Sequence, residues 1–107
     1  MIMKVVNEKD NGKAITLKVH ETLVINLREN ASTGFTWLEE ITPNQILLLE
    51  KEDFVQNTFI LGRSTIHRWF YKGIKPGQKK VRYIYQRPWQ KDKFGEKEFE
   101  INIYVSV

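Results

Sequence analysis

The chain has 107 residues, 41% of them hydrophobic and 12% aromatic, which fits one folded domain and argues against disorder. At this length folding buries roughly two-thirds of the surface of the unfolded chain, and the absence of cysteine excludes disulfides and thiolate chemistry, so packing alone must hold the fold. The net charge of +4 comes from 17 Lys and Arg spread among 13 Asp and Glu; the clustered basic face that phosphate recognition needs is not evident, and a nucleic-acid partner is not expected.

In chain order, Met3 to Val6 reads as a first strand. The segment before Asn7-Glu8-Lys9-Asp10 is too short for the apolar region of a signal peptide. The expected compartment is therefore the cytoplasm, with lysosomal, vesicular or secreted placement requiring a leader that has been removed. Asn11-Gly12 tolerates positive φ at both residues and predicts a hairpin between Met3–Val6 and the next strand. From Ala14 to His20, Ile15, Leu17 and Val19 alternate with Thr16, Lys18 and His20; from Leu23 to Arg28, Leu23, Ile25 and Leu27 alternate with Val24, Asn26 and Arg28. This period of two marks half-buried strands.

Asn30-Ala31-Ser32-Thr33-Gly34 follows, a run of residues that close turns on their own backbone, ended by a glycine that accepts positive φ. Phe35 and Trp37, two apart, then return to the core face of a new strand, leaving a tip of small side chains. Between Ile41 and Asp53 a connecting strand is expected, with a helical turn near Pro43–Gln45 and Ile46 to Leu49 as an apolar run far below membrane-span length, so no membrane partner is expected. Leu61-Gly62-Arg63-Ser64-Thr65 reads as a loop before the strand Ile66 to Lys72. Lys75-Pro76-Gly77-Gln78 has the residues of a type II turn, and the lysines from Lys72 to Lys80 read as guards on a solvated strand edge. Val81, Tyr83 and Tyr85 mark the following strand, which stops at Arg87-Pro88-Trp89, because proline removes a ladder donor and stiffens the exit. The polar stretch Gln90 to Lys97, with Phe94-Gly95, should close a second hairpin onto a long terminal strand carrying Phe99, Ile101, Ile103, Val105 and Val107.

Chemistry-bearing residues are sparse. His20 and His67 read as solvated histidines on polar strand faces, with no ligand partner at metal-binding spacing. Ser32, Ser64 and Ser106 lack the glycines of a nucleophile elbow, and Gly34 and Gly62 stand alone rather than in a phosphate-cradling loop. The carboxylate pairs Glu39-Glu40 and Glu52-Asp53 read as wet faces. No enzyme activity, metal or cofactor is expected. Strands with turns every eight to twelve residues predict an all-β antiparallel sandwich of about seven to eight strands in a single domain, 1–107. Trp89 has two readings: a side chain tucked back onto the core, or an exposed Trp beside Arg87, the composition of a protein–protein hot spot.

The order of these loops resembles the chagasin family of cysteine-protease inhibitors. Its first loop reads Asn-Pro-Thr-Thr-Gly followed by Phe or Tyr, matched here by Asn30-Ala31-Ser32-Thr33-Gly34-Phe35, and its last loop begins Arg-Pro-Trp, matched by Arg87-Pro88-Trp89. Ala31 replaces the proline, Ser32 the first threonine, and only Gly62 matches the glycine-rich middle loop, where Arg63, Ser64 and Thr65 follow. The resemblance implies an immunoglobulin-like β-sandwich and a reversible, competitive inhibitor of papain-like, cathepsin-type cysteine proteases, working as a monomer. Its first loop would enter the cleft, Trp89 would lie against the enzyme on the primed side, and Arg63 and its neighbours would meet the opposite wall. Two other readings compete: an immunoglobulin-like adhesion or interaction module without a protease target, and a single-strand nucleic-acid binder stacking bases on Tyr83, Tyr85 and Trp89.

Overall fold

The alternating segments form eight strands in the computed structural model, which describes residues 3–30, 33–40, 42–56, 64–89 and 97–107. These are β1 (Met3–Val6), β2 (Ala14–Lys18), β3 (Thr22–Asn30), β4 (Thr36–Glu39), β5 (Leu47–Gln56), β6 (Ser64–Gly73), β7 (Gly77–Gln86) and β8 (Lys97–Ser106), with a 3-10 turn at Glu8–Asp10. They make two four-stranded sheets, ordered β1-β3-β6-β5 and β2-β8-β7-β4. The sandwich is the expected one, but its sheets are mixed. β1 runs parallel to β3 and β2 parallel to β8, while the other pairs are antiparallel.

The inward residues of each strand make one core. Leu23, Ile25 and Leu27 of β3 and Trp69 and Tyr71 of β6 meet Val81, Tyr83 and Tyr85 of β7 and Phe99, Ile101, Ile103 and Val105 of β8. At about 1.5–3 kcal/mol for each large apolar side chain taken fully from water, this shared layer holds the sheets together. The ion pairs lie mostly on the surface, for example Arg82 with Glu98 at 2.7 Å, where solvent and salt screen the attraction and little stability results.

Several local expectations are corrected by long-range partners. Asn11-Gly12 does not close a hairpin. Asn7 caps the 3-10 turn through its side chain, and the chain then crosses to the other sheet, where Gly12 N–H donates to Glu100 O at 2.8 Å and Asn102 N–H to Lys13 O at 3.1 Å. Gly12 still uses its positive φ, 82°, but in a crossing rather than a hairpin. Lys75-Pro76-Gly77-Gln78 likewise steps from β6 in one sheet to β7 in the other. Gly77 has φ 152°, far from the third position of a type II turn, and a Cβ there would stand 2.5 Å from Ile46 Cδ1. No helical turn forms at 43–45. Asn44 Oδ1 accepts from Ile46 N at 2.7 Å and Leu47 N at 3.1 Å, closing a side-chain turn that starts β5.

Of the run Ile46 to Leu49 only Leu47 is buried, because β5 is the outer strand of its sheet. His20 lies in the turn after β2 with φ 78°, exposed, rather than on a strand. Lys79 and Lys80 do guard an edge: β4 pairs β7 only from Tyr83 onward. β7 and β8 pair antiparallel with Tyr85 opposite Lys97, as a hairpin requires; the expected closing residues 90–96, Phe94-Gly95 among them, lie outside the described ones.

A polar cluster is set into the core. The buried Tyr71 hydroxyl donates to Glu39 and shares a hydrogen bond with the Tyr83 hydroxyl. Burial pushes both phenols up, and burial also raises the Glu39 carboxyl above its ordinary 4.5, against the opposing pull of the Tyr71 bond. A carboxyl raised in the folded state loses stability as pH climbs through that raised value, since the unfolded chain ionises more readily. Glu39→Gln keeps an acceptor for Tyr71 and removes a half-buried charge. It should be more stable than the parent at about pH 7, with the difference vanishing below about pH 4, as denaturant titrations at the two pH values would measure.

Candidate functional site

The strand registers gather three loops at one end of the sandwich. Asn30 pairs with Ser64, Gln56 with Thr65, Thr36 with Gln86 and Tyr85 with Lys97. The chain leaving β3, the chain between β5 and β6 and the chain leaving β7 therefore all emerge from the same pole. Of the predicted site residues, Asn30, Thr33, Gly34, Phe35, Ser64, Thr65, Arg87, Pro88 and Trp89 are described, whereas Ala31, Ser32, Gly62 and Arg63 lie outside the described residues.

The first and last loops form one unit. Thr33 Oγ1 donates to Asn30 O at 2.8 Å and accepts from Phe35 N at 3.3 Å, closing the turn on itself. Gly34 takes φ 79°, and a Cβ there would stand 2.7 Å from Trp89 Cη2. The glycine is thus required twice, by its left-handed backbone and by the indole lying over it. Arg87 Nε donates to Thr33 O at 3.2 Å, while its guanidinium sits 4.8 Å above the Phe35 ring. Phe35 stacks on Tyr85 at 5.4 Å, and the Tyr85 hydroxyl accepts from Asn30 N at 3.2 Å. Pro88 directs the chain out of β7, and Trp89 ends 69% exposed although it is braced against Gly34. The indole neither tucks into the core nor swings free.

The middle segment differs from its sequence reading. Ser64 and Thr65 belong to β6 rather than to a loop tip, paired with Asn30 and Glu29, and Thr65 Oγ1 donates to Glu29 O at 3.4 Å. The strand extends this far because β3 runs on to Asn30 and offers ladder partners.

Sequence reading missed the groups beneath the pole. His67 is 2% exposed, contrary to the solvated face expected for it; its Nδ1 lies 2.5 Å from Glu29 Oε2 and its Nε2 2.6 Å from Glu52 Oε2. The available signal was parity. His67 alternates in step with Trp69 and Tyr71, and Glu29 in step with Leu23, Ile25 and Leu27, so each falls on the core face of its strand. Glu52, which stays exposed as expected for a wet face, reaches His67 from the rim because β5 carries a register shift between Leu49 and Lys51. Among the described residues no His, Cys, Asp and Glu group is arranged to hold a metal ion, and no helix is long and apolar enough to cross a membrane. Tyr83 and Tyr85 are buried, which removes the stacking platform of the nucleic-acid reading.

This fold and paired-loop site define a binding protein, and comparison with known proteins gives its family. The chain belongs to the chagasin family of peptidase inhibitors, I42, whose sequence profile matches residues 16–103. It is therefore an inhibitor by family and not an enzyme. It is 29% identical over 89 residues to chagasin of Trypanosoma cruzi, covering 78% of this chain and 81% of that one. With amoebiasin-2 of Entamoeba histolytica it shares 26% identity over 92 residues, 83% of this chain and 74% of the relative. The crystal structure of the cysteine protease inhibitor EhICP2 from Entamoeba histolytica superposes with a TM-score of 0.86 at 23% identity, over 96% of this chain and 95% of that one. The structure of PbICP-C in complex with falcipain-2 has the same fold at a TM-score of 0.59 and 23% identity, over 99% and 91% of the two chains.

The Gly34–Trp89 contact gives a direct test. Gly34→Ala should cost about 1–2 kcal/mol from the left-handed backbone alone, and the added methyl should displace the indole. Denaturant unfolding would give the first effect and a shift of tryptophan emission the second, with Trp89→Phe as the spectroscopic reference.

Proposed function

We propose that this chain is a reversible, competitive inhibitor of papain-like cysteine proteases, and that it blocks the active-site cleft with the loop pole of the sandwich. In this reading Asn30, Ala31, Ser32, Thr33 and Gly34 form the wedge that enters the cleft beside the catalytic cysteine and histidine, with Phe35 anchoring its base. Trp89, held by Arg87 and Pro88, lies on the primed side. Gly62 and Arg63, ahead of Ser64 and Thr65, meet the opposite wall.

The observation that carries this reading is the braced pair of loops: Arg87 tied to Thr33, and an indole lying over Gly34 with 69% of its surface exposed. A preformed surface loses little entropy on docking, which lets an interface of ordinary area bind tightly. The exposed Trp offers the large, rigid side chain typical of interface hot spots. The adhesion-module alternative needs no common placement of the loops and would have been favoured by loops at opposite poles; the shared pole gives it no such support. A net charge of +4 would favour encounter with an acidic enzyme surface and make the association rate fall with salt. One copy suffices as the working unit, because the wedge needs only its own pole free.

Trp89→Ala tests the assignment. Removing a buried hot-spot aromatic costs about 2 kcal/mol or more, so the inhibition constant against papain should rise about thirtyfold or more. The melting temperature should stay nearly constant, because the residue is largely exposed. An unchanged inhibition constant would show that the last loop does not touch the protease.

A further inference from the structure

Glu29 occupies a core-facing position of β3, in line with Leu23, Ile25 and Leu27, yet it is a carboxylate with only 6% of its surface exposed. A charge placed there is costly unless every lone pair is used. Its partners come from two directions. From β4 in the opposite sheet, Thr36 Oγ1 lies 2.9 and 2.8 Å from the two carboxylate oxygens, and Trp37 N–H donates to Oε2 at 2.9 Å. From β6, His67 Nδ1 approaches the same Oε2 at 2.5 Å.

The imidazole is itself clamped, stacked between Phe54 at 4.0 Å and Trp69 at 3.8 Å, with Nε2 at 2.6 Å from Glu52 Oε2. Both ring nitrogens therefore face carboxylate oxygens, and both can donate only in the imidazolium form. One residue earlier, Arg28 O accepts from Trp37 Nε1 at 2.9 Å. Residues 28 and 29 are thus bound to residues 36 and 37 across the gap between the sheets, and the chain between them is the first loop.

We infer that Glu29 is a positioning residue for inhibition: its carboxylate, held from behind by His67 and Glu52, clasps the neck of the first loop and fixes the spacing of its two stems. This rests on the reading that the first loop enters the protease cleft. No backbone ladder ties β3 to β4, since they lie in different sheets, so the spacing of the stems depends on side chains. A loop that enters a protease cleft in an extended form escapes cleavage by being held away from the attack geometry, and a loosened neck surrenders that restraint.

The test compares the parent chain with Glu29→Ala, Glu29→Gln and Ile103→Ala, the last removing a buried core side chain of the second sheet outside the loop pole. Inhibition and dissociation rates are measured with papain, and amide hydrogen exchange at Thr33 to Trp37 is followed on the free proteins. Glu29→Ala leaves the Trp37 amide and the Thr36 hydroxyl without their acceptor, so the inhibition constant should rise about tenfold or more. The rise should come through faster dissociation, with faster exchange at 33–37 and slow papain cleavage between residues 30 and 36. Glu29→Gln preserves acceptor and shape and should stay within about threefold of the parent. Ile103→Ala, although destabilised, should inhibit like the parent. Where Glu29→Ala does not fold, Thr36→Val removes one clasp bond alone and should move inhibition and exchange the same way by a smaller factor.

The inference is overturned if Glu29→Ala keeps parental inhibition and exchange, or if Ile103→Ala loses inhibition and gains exchange at 33–37 to the same extent. A parent chain that leaves papain active would defeat the functional reading instead, and the exchange at 33–37 would still decide whether Glu29 clasps the neck.

Discussion

The chain crosses between two sheets at the end of β3, and no ladder hydrogen bond can hold a crossing of that kind. The register pairs β3 with β6 and β4 with β7, leaving β3 and β4 unpaired to each other. What joins them is a set of side chains: the Glu29 carboxylate reaching Thr36 and the Trp37 amide, and the Trp37 indole reaching Arg28 O. Each lies under a loop rather than in it. The exposed pole is therefore as rigid as the buried polar groups beneath it, and a buried polar network constrains geometry only when all its members are satisfied.

From this base the outer contacts follow. Tyr85, fixed by Asn30 and by its packing on Trp37, gives Phe35 a surface to stack on. Phe35 in turn carries the Arg87 guanidinium, which holds Thr33 O, and the indole of Trp89 lies over Gly34. The chain of contact runs from core to surface through aromatic rings, which keep few rotamers and so lose little freedom on binding. A family of peptidase inhibitors needs this arrangement more than it needs reactive groups. The closely packed ionisable groups under the pole, Glu29, His67 and Glu52, are turned toward one another and serve structure.

Much of the fold was legible because alternation is a local signal with a definite period. Leu23, Ile25 and Leu27 could face only one way, and the long series from Phe99 to Val105 likewise. The two loop motifs were legible because glycine, proline and tryptophan carry conformational meaning by themselves. Pairing was not legible. Asn11-Gly12 satisfies a hairpin and a crossing equally well, and the acceptor on Glu100 that decides between them lies far along the chain. Polar residues on inward faces were the other failure. Hydrophobic pattern assigned His67 to solvent although its parity matches Trp69 and Tyr71, because a buried histidine makes sense only once Glu29 and Glu52 are known to flank it. The extent of β6 through Ser64 was hidden for the same reason, as it is set by the length of β3.

The measurement that bears most directly on this account is a titration of active papain with the purified chain, followed with a fluorogenic substrate and repeated at several substrate concentrations. The account predicts loss of activity that is stoichiometric in inhibitor, relieved competitively by substrate, with the recovered chain uncleaved. Undiminished activity at micromolar chain, or steady cleavage within residues 30–36, would contradict it.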